Sequence, residues 1–235
     1  MKRLEKIYEG KAKMLYATDD PDLIIQYFKD SATAFNAAKK GVIEKKGIIN
    51  NRISTRIFRY LEKNGIKTHF VDMPDEREMV VKKLKIFPIE VVLRNVVAGS
   101  LSKRMGVPEG APLKETVFEL YYKDDSLGDP MINGYHVRAF GLATDDDLKR
   151  IKETAFEING ILKEFFDTRG ITLVDFKLEF GRDESGEIYL ADEITPDGCR
   201  LWDKETHEKM DKDRFRRDLG RVEEAYEEVL RKVMK

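Results

Sequence analysis

Glu179 and Asp192 are the residues whose type and spacing best suit a hard cation, and Lys177 accompanies them. They lie in LVDFKLEFGRDESGEIYLADEITPDGCRLWD, Leu173 to Asp203, where nine residues are Asp or Glu. Successive strand residues point to opposite faces. Val174, Phe176, Leu178 and Phe180 therefore fall on one apolar face, and Asp175, Lys177 and Glu179 on the other. Asp183-Glu184-Ser185-Gly186 reads as a turn, and Ile188 to Ile194 as a second strand. A hairpin with Arg182 opposite Glu187 sets Lys177 opposite Asp192. Glu179 is then a diagonal neighbour of Asp192, close enough to share one ion. A slip of one residue would turn Asp192 to the other face. Mg²⁺ is commonly held by one or two carboxylates plus substrate phosphates, and Lys177 would then meet phosphate. The competing reading is a solvated face of alternating charge, which spacing alone favours. The turn Thr195-Pro196-Asp197-Gly198, followed by Arg200, Trp202 and Asp203, shifts the balance toward a binding surface. The single tryptophan and single cysteine of the chain fall there too.

Other stretches could handle phosphate. Glu9-Gly10-Lys11-Ala12-Lys13 places two lysines beside a glycine in a hairpin turn, where backbone can approach a phosphate closely. It lacks the spacing of a Walker A loop, and Lys-Gly turns are common on surfaces. A two-stranded flap over nucleotide phosphates could use it, as kinases use their Gly-rich loop. Arg94 to Arg104, RNVVAGSLSKR, could open a short helix at Gly99 with Ser100 as cap, its N–H groups and Arg94 turned to an anion; an ordinary capped surface helix fits equally well. Asp129-Pro130-Met131-Ile132-Asn133 reads as a loop. His69, His136 and His207 have no metal-ligand spacing to one another, and no G-x-S-x-G elbow is present.

The elements that must position these residues follow from periodicity. Lys6–Tyr8 and Lys13–Ala17 flank the glycine turn as strands, and Leu23–Phe28 is a third. Ile49, Ile53, Ile57 and Leu61 mark a helix over 48–64, stopped by Gly65. Strands over 79–84 and 90–94 flank Pro88, which interrupts the run and marks a boundary near 85–90. Asp145-Asp146-Asp147 starts a helix with a favourable dipole, whose stripe runs Leu148, Ile151, Ala155, Ile158, Leu162 and Phe165. Asp213 opens a last helix carrying Phe215, Leu219, Val222, Tyr226, Val229 and Val233. Hairpins outnumber βαβ units, which predicts α+β. With 235 residues, 43 basic and 44 acidic side chains and a net charge of −1, the chain is long enough for a large core. Its balanced charge argues against a protein built to coat nucleic acid or an acidic membrane. One cysteine, no signal-like N-terminus and no spanning apolar run predict a soluble protein of a reducing, cytoplasmic compartment.

FPIEVVLRNVVAGS (Phe87–Ser100) and LVDFKLEFG (Leu173–Gly181) resemble the two signature regions of the SAICAR synthetase family. YEGKAK, KGIINN, DPMIN and DEITPDGCRLWDKET support the resemblance, which spans the chain in order. It implies a β-rich N-terminal lobe, 1–87, joined to a larger α+β lobe, 88–235, with ATP between them as in ATP-grasp enzymes and kinases. It implies ligation of carboxyaminoimidazole ribotide to L-aspartate by a homodimer in purine biosynthesis. By the same resemblance Lys11, Lys13, Lys82 and Leu84 bind ATP, the last two through the 82–84 backbone. Glu179 and Asp192 hold Mg²⁺, Lys177 and Asp175 are catalytic, Arg94, Ser100 and Arg200 bind the ribotide, and Asp129 is a further substrate-binding residue. Asn36-Ala37 departs from the acidic residue and glycine of many bacterial members, leaving the loop 31–40 open. A small-molecule kinase or a non-catalytic nucleotide sensor could share the Mg–ATP site.

Overall fold

The computed structural model describes residues 1–34 and 39–235; the departure at Asn36-Ala37 lies outside the described residues. β1 (Arg3–Glu9), β2 (Lys13–Thr18) and β3 (Leu23–Phe28) form an antiparallel meander. β4 (Ser31–Ala34) and β5 (Lys39–Val42) make a separate ribbon. After α1 (Lys46–Lys63), β6 (Phe70–Asp75) and β7 (Glu78–Lys82) return to complete a five-stranded sheet in the order β1-β2-β3-β7-β6. Ile49, Ile53, Ile57 and Leu61 of α1 are buried, as their four-residue spacing predicts.

The second sheet is built from β8 (Lys85–Val96), β9 (Pro112–Tyr122), β10 (Met131–Ile132), β11 (Ile171–Arg182), β12 (Ile188–Ala191) and β13 (Cys199–Asp203). Its order is β10-β9-β8-β11-β12, with β13 also on β11. Between these strands come α2 (Gly99–Met105), α3 (Gly134–Ala139) and α4 (Asp145–Asp167); α5 (Asp213–Arg216) and α6 (Val222–Val233) follow. All ladders are antiparallel, and the architecture is α+β as expected. Thr144 and Asp147 form a reciprocal capping box at the start of α4.

Three local expectations are corrected. Pro88 does not interrupt a strand: β8 runs through it. Between the pairs Glu179–Glu90 and Gly181–Ile86 the register shifts, so Pro88 sits in a bulge where no ladder donor is needed. The last helix is two helices, because Asp218, Gly220 and Arg221 take left-handed backbone between α5 and α6 and leave Leu219 exposed. Val174 also leaves the apolar stripe of β11. The β11–β13 register shifts between Leu173 and Asp175, and Val174 packs with Ala98 and Trp202, while Phe176, Leu178 and Phe180 join the main core.

That core is continuous across both sheets, from Phe28, Met79 and Val81 through α1 to Leu93, Phe165, Phe176 and Val233. The sheets also meet directly. A parallel bridge joins Thr68 to Leu190, with His69 N–H donating to the Leu190 carbonyl at 2.8 Å. β12 and β13 share one edge of β11, β12 pairing residues 179–182 and β13 residues 171–176. The chain between them, 192–198, peels off that edge beside Lys177.

Candidate functional site

Where the edge of β11 is interrupted, a cleft of about 530 Å³ opens under the β1–β2 turn. Gly10, Lys11 and Lys13 come from the turn, Glu90, Lys177 and Glu179 from the second sheet, and Asp192 and Glu193 from the interrupting loop. Lys177 is the centre of its charge. Its Nζ lies 2.5 Å from Glu179 Oε1, 3.0 Å from Asp192 Oδ2 and 3.1 Å from Glu90 Oε1. Burial opposes this ammonium, but Glu179 and Glu90 outweigh it and raise the Lys177 pKa. Burial likewise opposes the Glu179 carboxylate, yet Lys177, Lys123 and Lys13 hold its pKa well below the usual range. Lys13 also pairs with Asp192 and, at 2.5 Å, with Glu193; Lys11 reaches Asp125 at 2.6 Å and ties the flap to the β9–β10 loop.

The hairpin register differs by one residue from the expectation. Arg182 faces Ile188 and Glu179 faces Ala191, which by alternation alone would turn Asp192 away. It does not, because β12 ends at Ala191 and Asp192 has φ 62°, a left-handed residue that redirects the side chain to the Lys177 face. The predicted partnership of Lys177, Glu179 and Asp192 thus stands on a backbone turn, with the predicted pairing overturned.

Two carboxylates sharing one ammonium could equally share one small cation. Among the described residues no three His, Cys, Asp or Glu side chains converge as a metal cage. Mg²⁺ does not need one, since it binds through one or two carboxylates plus phosphate oxygens and water. The donor set fits an ion that arrives with a nucleotide.

A second charged group lies deeper. Asp175, 3 % exposed, accepts from Arg94 Nη1 at 2.8 Å and from Arg200 Nη1 at 2.9 Å. Arg94 also donates to Glu119, Ser100 and Tyr121, and Arg200 to Asp213. Ser100 is therefore an acceptor for Arg94; the residue preceding α2 is Ala98, which offers no side-chain cap, and the Gly99 N–H donates to Glu109 Oε1 at 2.8 Å instead, so the expected Ser100 cap is absent. Gly99 has φ 55°, and a Cβ there would stand 2.5 Å from Arg200 Nη2, which explains the glycine. Arg94, Asp175, Ser100 and Arg200 form one cluster, and none of the four lines the cleft itself. Asp129, at φ 49°, does line it and accepts from the Asp124 N–H.

Lys82 and Leu84 are not brought to the cleft wall. Lys82 lies over the Tyr189 ring at 4.2 Å and lines a separate cavity of about 300 Å³ with Leu23. Leu84 packs against Gly181. Sequence reasoning missed Glu90, Lys123, Glu193, Lys212 and Arg216, all on the cleft wall. Glu90 carried a signal, a lone charge within the apolar run of β8 that lands opposite Glu179. The others are gathered by tertiary structure and had none. Among the described residues Lys212 has no carboxylate within ion-pair distance.

Behind the loop, Asp197 is anchored by α1 and α6. Its side chain, 7 % exposed, accepts from Lys46 Nζ at 2.5 Å, Asn50 Nδ2 at 3.1 Å and Tyr226 Oη at 2.7 Å. Lys46 is fully buried. His69, 4 % exposed, lies under the same loop with Nε2 3.0 Å from the Asp192 carbonyl oxygen. Burial first, and then Lys13, push its pKa down to about 3, so the ring is neutral near pH 7.

A flap bearing two lysines, closing on a sheet whose carboxylates surround a third, defines a phosphoryl-handling enzyme of α+β fold. Residues 6–233 match the SAICAR synthetase family. The phosphoribosylaminoimidazole-succinocarboxamide synthase of Fusobacterium nucleatum is 58 % identical over 233 residues, 99 % of this chain and 98 % of its own. The crystal structure of the synthase of that name from Ehrlichia chaffeensis superposes with a TM-score of 0.96 at 51 % identity, covering 97 % of this chain and 98 % of its own. A SAICAR synthetase in complex with ADP gives 0.94 at 51 % identity, covering 97 % of each chain. The chain belongs to the SAICAR synthetase family and is a ligase of purine biosynthesis.

Proposed function

We propose that the chain joins carboxyaminoimidazole ribotide to L-aspartate, with conversion of ATP to ADP and phosphate, through an acyl phosphate. The observation that carries this reading is the Lys177 cluster beneath the Lys11–Lys13 flap, a site built for an anion that arrives with a cation. A carboxylate resists amine attack because oxide is a poor leaving group. Transfer of the terminal phosphoryl group to a ribotide carboxylate oxygen breaks the bond to ADP and makes phosphate the leaving group. The aspartate amine then attacks the carbonyl carbon, loses a proton and expels phosphate. Such transfers rest on positioning and charge neutralisation more than on covalent help.

Lys11, Lys13 and Lys177 neutralise the phosphates in this scheme, and residues 1–87 chiefly serve ATP, with the 82–84 backbone toward the base. Glu179 and Asp192 would hold Mg²⁺, which supplies electrostatic stabilisation of phosphoryl oxygens when bound. In the 88–235 part, Asp175 aligns Arg94 and Arg200, which with Ser100 and Asp129 receive the ribotide. The arginines must exchange internal partners for substrate, or act through the carboxylates they hold. A homodimer and a cytoplasmic location complete the proposal; no helix among the described residues is long and apolar enough to cross a membrane.

Oxygen labelling tests the route. With ¹⁸O in both ribotide carboxylate oxygens, one label should leave in inorganic phosphate and one stay in the amide. Phosphate release should require L-aspartate, which a kinase acting on a hydroxyl would not need. Amide formation with unlabelled phosphate would rule out the acyl phosphate.

A further inference from the structure

Asp192 reaches the cleft only because its backbone is left-handed, a conformation that non-glycine residues adopt uncommonly. Something must hold it there. Its neighbours on both sides are pinned. The Leu190 carbonyl accepts from His69 N–H at 2.8 Å, and Ile194 N–H donates to Ser54 Oγ at 3.2 Å. At Asp192 itself the carbonyl meets His69 Nε2 at 3.0 Å. Only a protonated ring nitrogen makes an attractive contact with a carbonyl oxygen. Phe58 packs edge-on against the imidazole, 5.4 Å between centroids, and fixes the ring plane.

We propose that His69 is a positioning residue for the Asp192 carboxylate. Its Nε2–H holds the Asp192 carbonyl, and its main-chain N–H holds Leu190. One residue just before β6 thereby sets where β12 ends and how Asp192 turns toward Lys177. The imidazole does not line the cleft, and acts through the backbone. The inference rests on the reading that Asp192 serves the nucleotide–metal site.

The first test uses the wild-type protein. Long-range ¹⁵N–¹H correlation spectra should show His69 as the Nε2–H tautomer; an unprotonated Nε2 would overturn the proposal whatever the variants do. The second compares His69→Gln, which can retain a donor, with His69→Leu, which cannot. Loss of a group that orients a metal ligand typically weakens metal affinity about 10- to 100-fold. Binding of Mn²⁺ in the presence of ADP, read by electron paramagnetic resonance without turnover, should weaken about tenfold in His69→Leu. It should stay within about threefold of wild type in His69→Gln, and the Michaelis constant for L-aspartate should change little in either. Asp192→Asn separates the two levels of the argument. Weakened Mn²⁺ binding in Asp192→Asn with none in a folded His69→Leu overturns the positioning role alone. Unchanged binding in Asp192→Asn overturns both.

Discussion

Glu179→Gln and Asp192→Asn should each lower turnover by about two to three orders of magnitude, the usual loss when part of a transition-state charge clamp is removed. Both substitutions keep side-chain volume and leave hydrogen-bond acceptors for their lysines, so the fold should survive. Glu179 is 3 % exposed and set between Lys177 and Lys123, with Glu90 opposite it on the neighbouring strand. Removing one negative charge still leaves Lys177 with Glu90 and Asp192. The loss should therefore fall on turnover and on the Mg²⁺ concentration needed, with thermal unfolding within a few degrees of wild type. Near-normal turnover of both variants at saturating Mg²⁺ would remove the metal assignment.

Lys46→Met should destabilise the protein by about 3–5 kcal/mol, the usual effect of stripping one partner from a buried ion pair. Asp197 would keep Asn50 and Tyr226 but lose the one cation within hydrogen-bonding distance of its carboxylate. Burial alone would raise the Asp197 pKa; Lys46, with Lys212 behind it, holds it well below the usual value instead. A carboxyl with a depressed folded-state pKa contributes stability above its unfolded pKa of about 3.9, and that contribution is lost as pH falls through the folded value. The difference between wild type and Lys46→Met in urea denaturation should thus be level above the raised pKa that burial gives Asp197 without Lys46, and shrink as pH falls below it. A loss under about 1 kcal/mol, or a gap that widens in acid, would show that the pair contributes little.

Local patterns read from the chain survive where local forces decide. α4 starts at Asp145 and carries its stripe as expected, because its cap and its apolar spacing agree. β11 shows its alternation except at the bulge. Patterns fail where another strand decides. Nothing local reveals that Pro88 falls in a bulge, or that three left-handed residues split α5 from α6. Asp192 is the instructive case, since its position was anticipated through a pairing that does not occur. A left-handed aspartate and a histidine 123 residues away supply what the ladder does not. Arg94 and Arg200 were legible as charges near an anion site, but their mutual clamp on Asp175 depends on β8, β11 and β13 lying side by side.

The packing of α6 on α1 has a consequence for how the chain is made. Tyr226, Val229 and Val233 are fully buried, and α6 lies directly on α1, whose own residues begin at position 46. During synthesis the first sheet and α1 emerge early, yet the apolar face that α6 covers stays open until residues 222–233 have been added. Tyr226 also delivers the last hydrogen bond to Asp197. The nascent protein therefore carries an unsealed core and an incompletely anchored 192–198 loop until α6 has been made, an interval in which a chaperone has the most to shield.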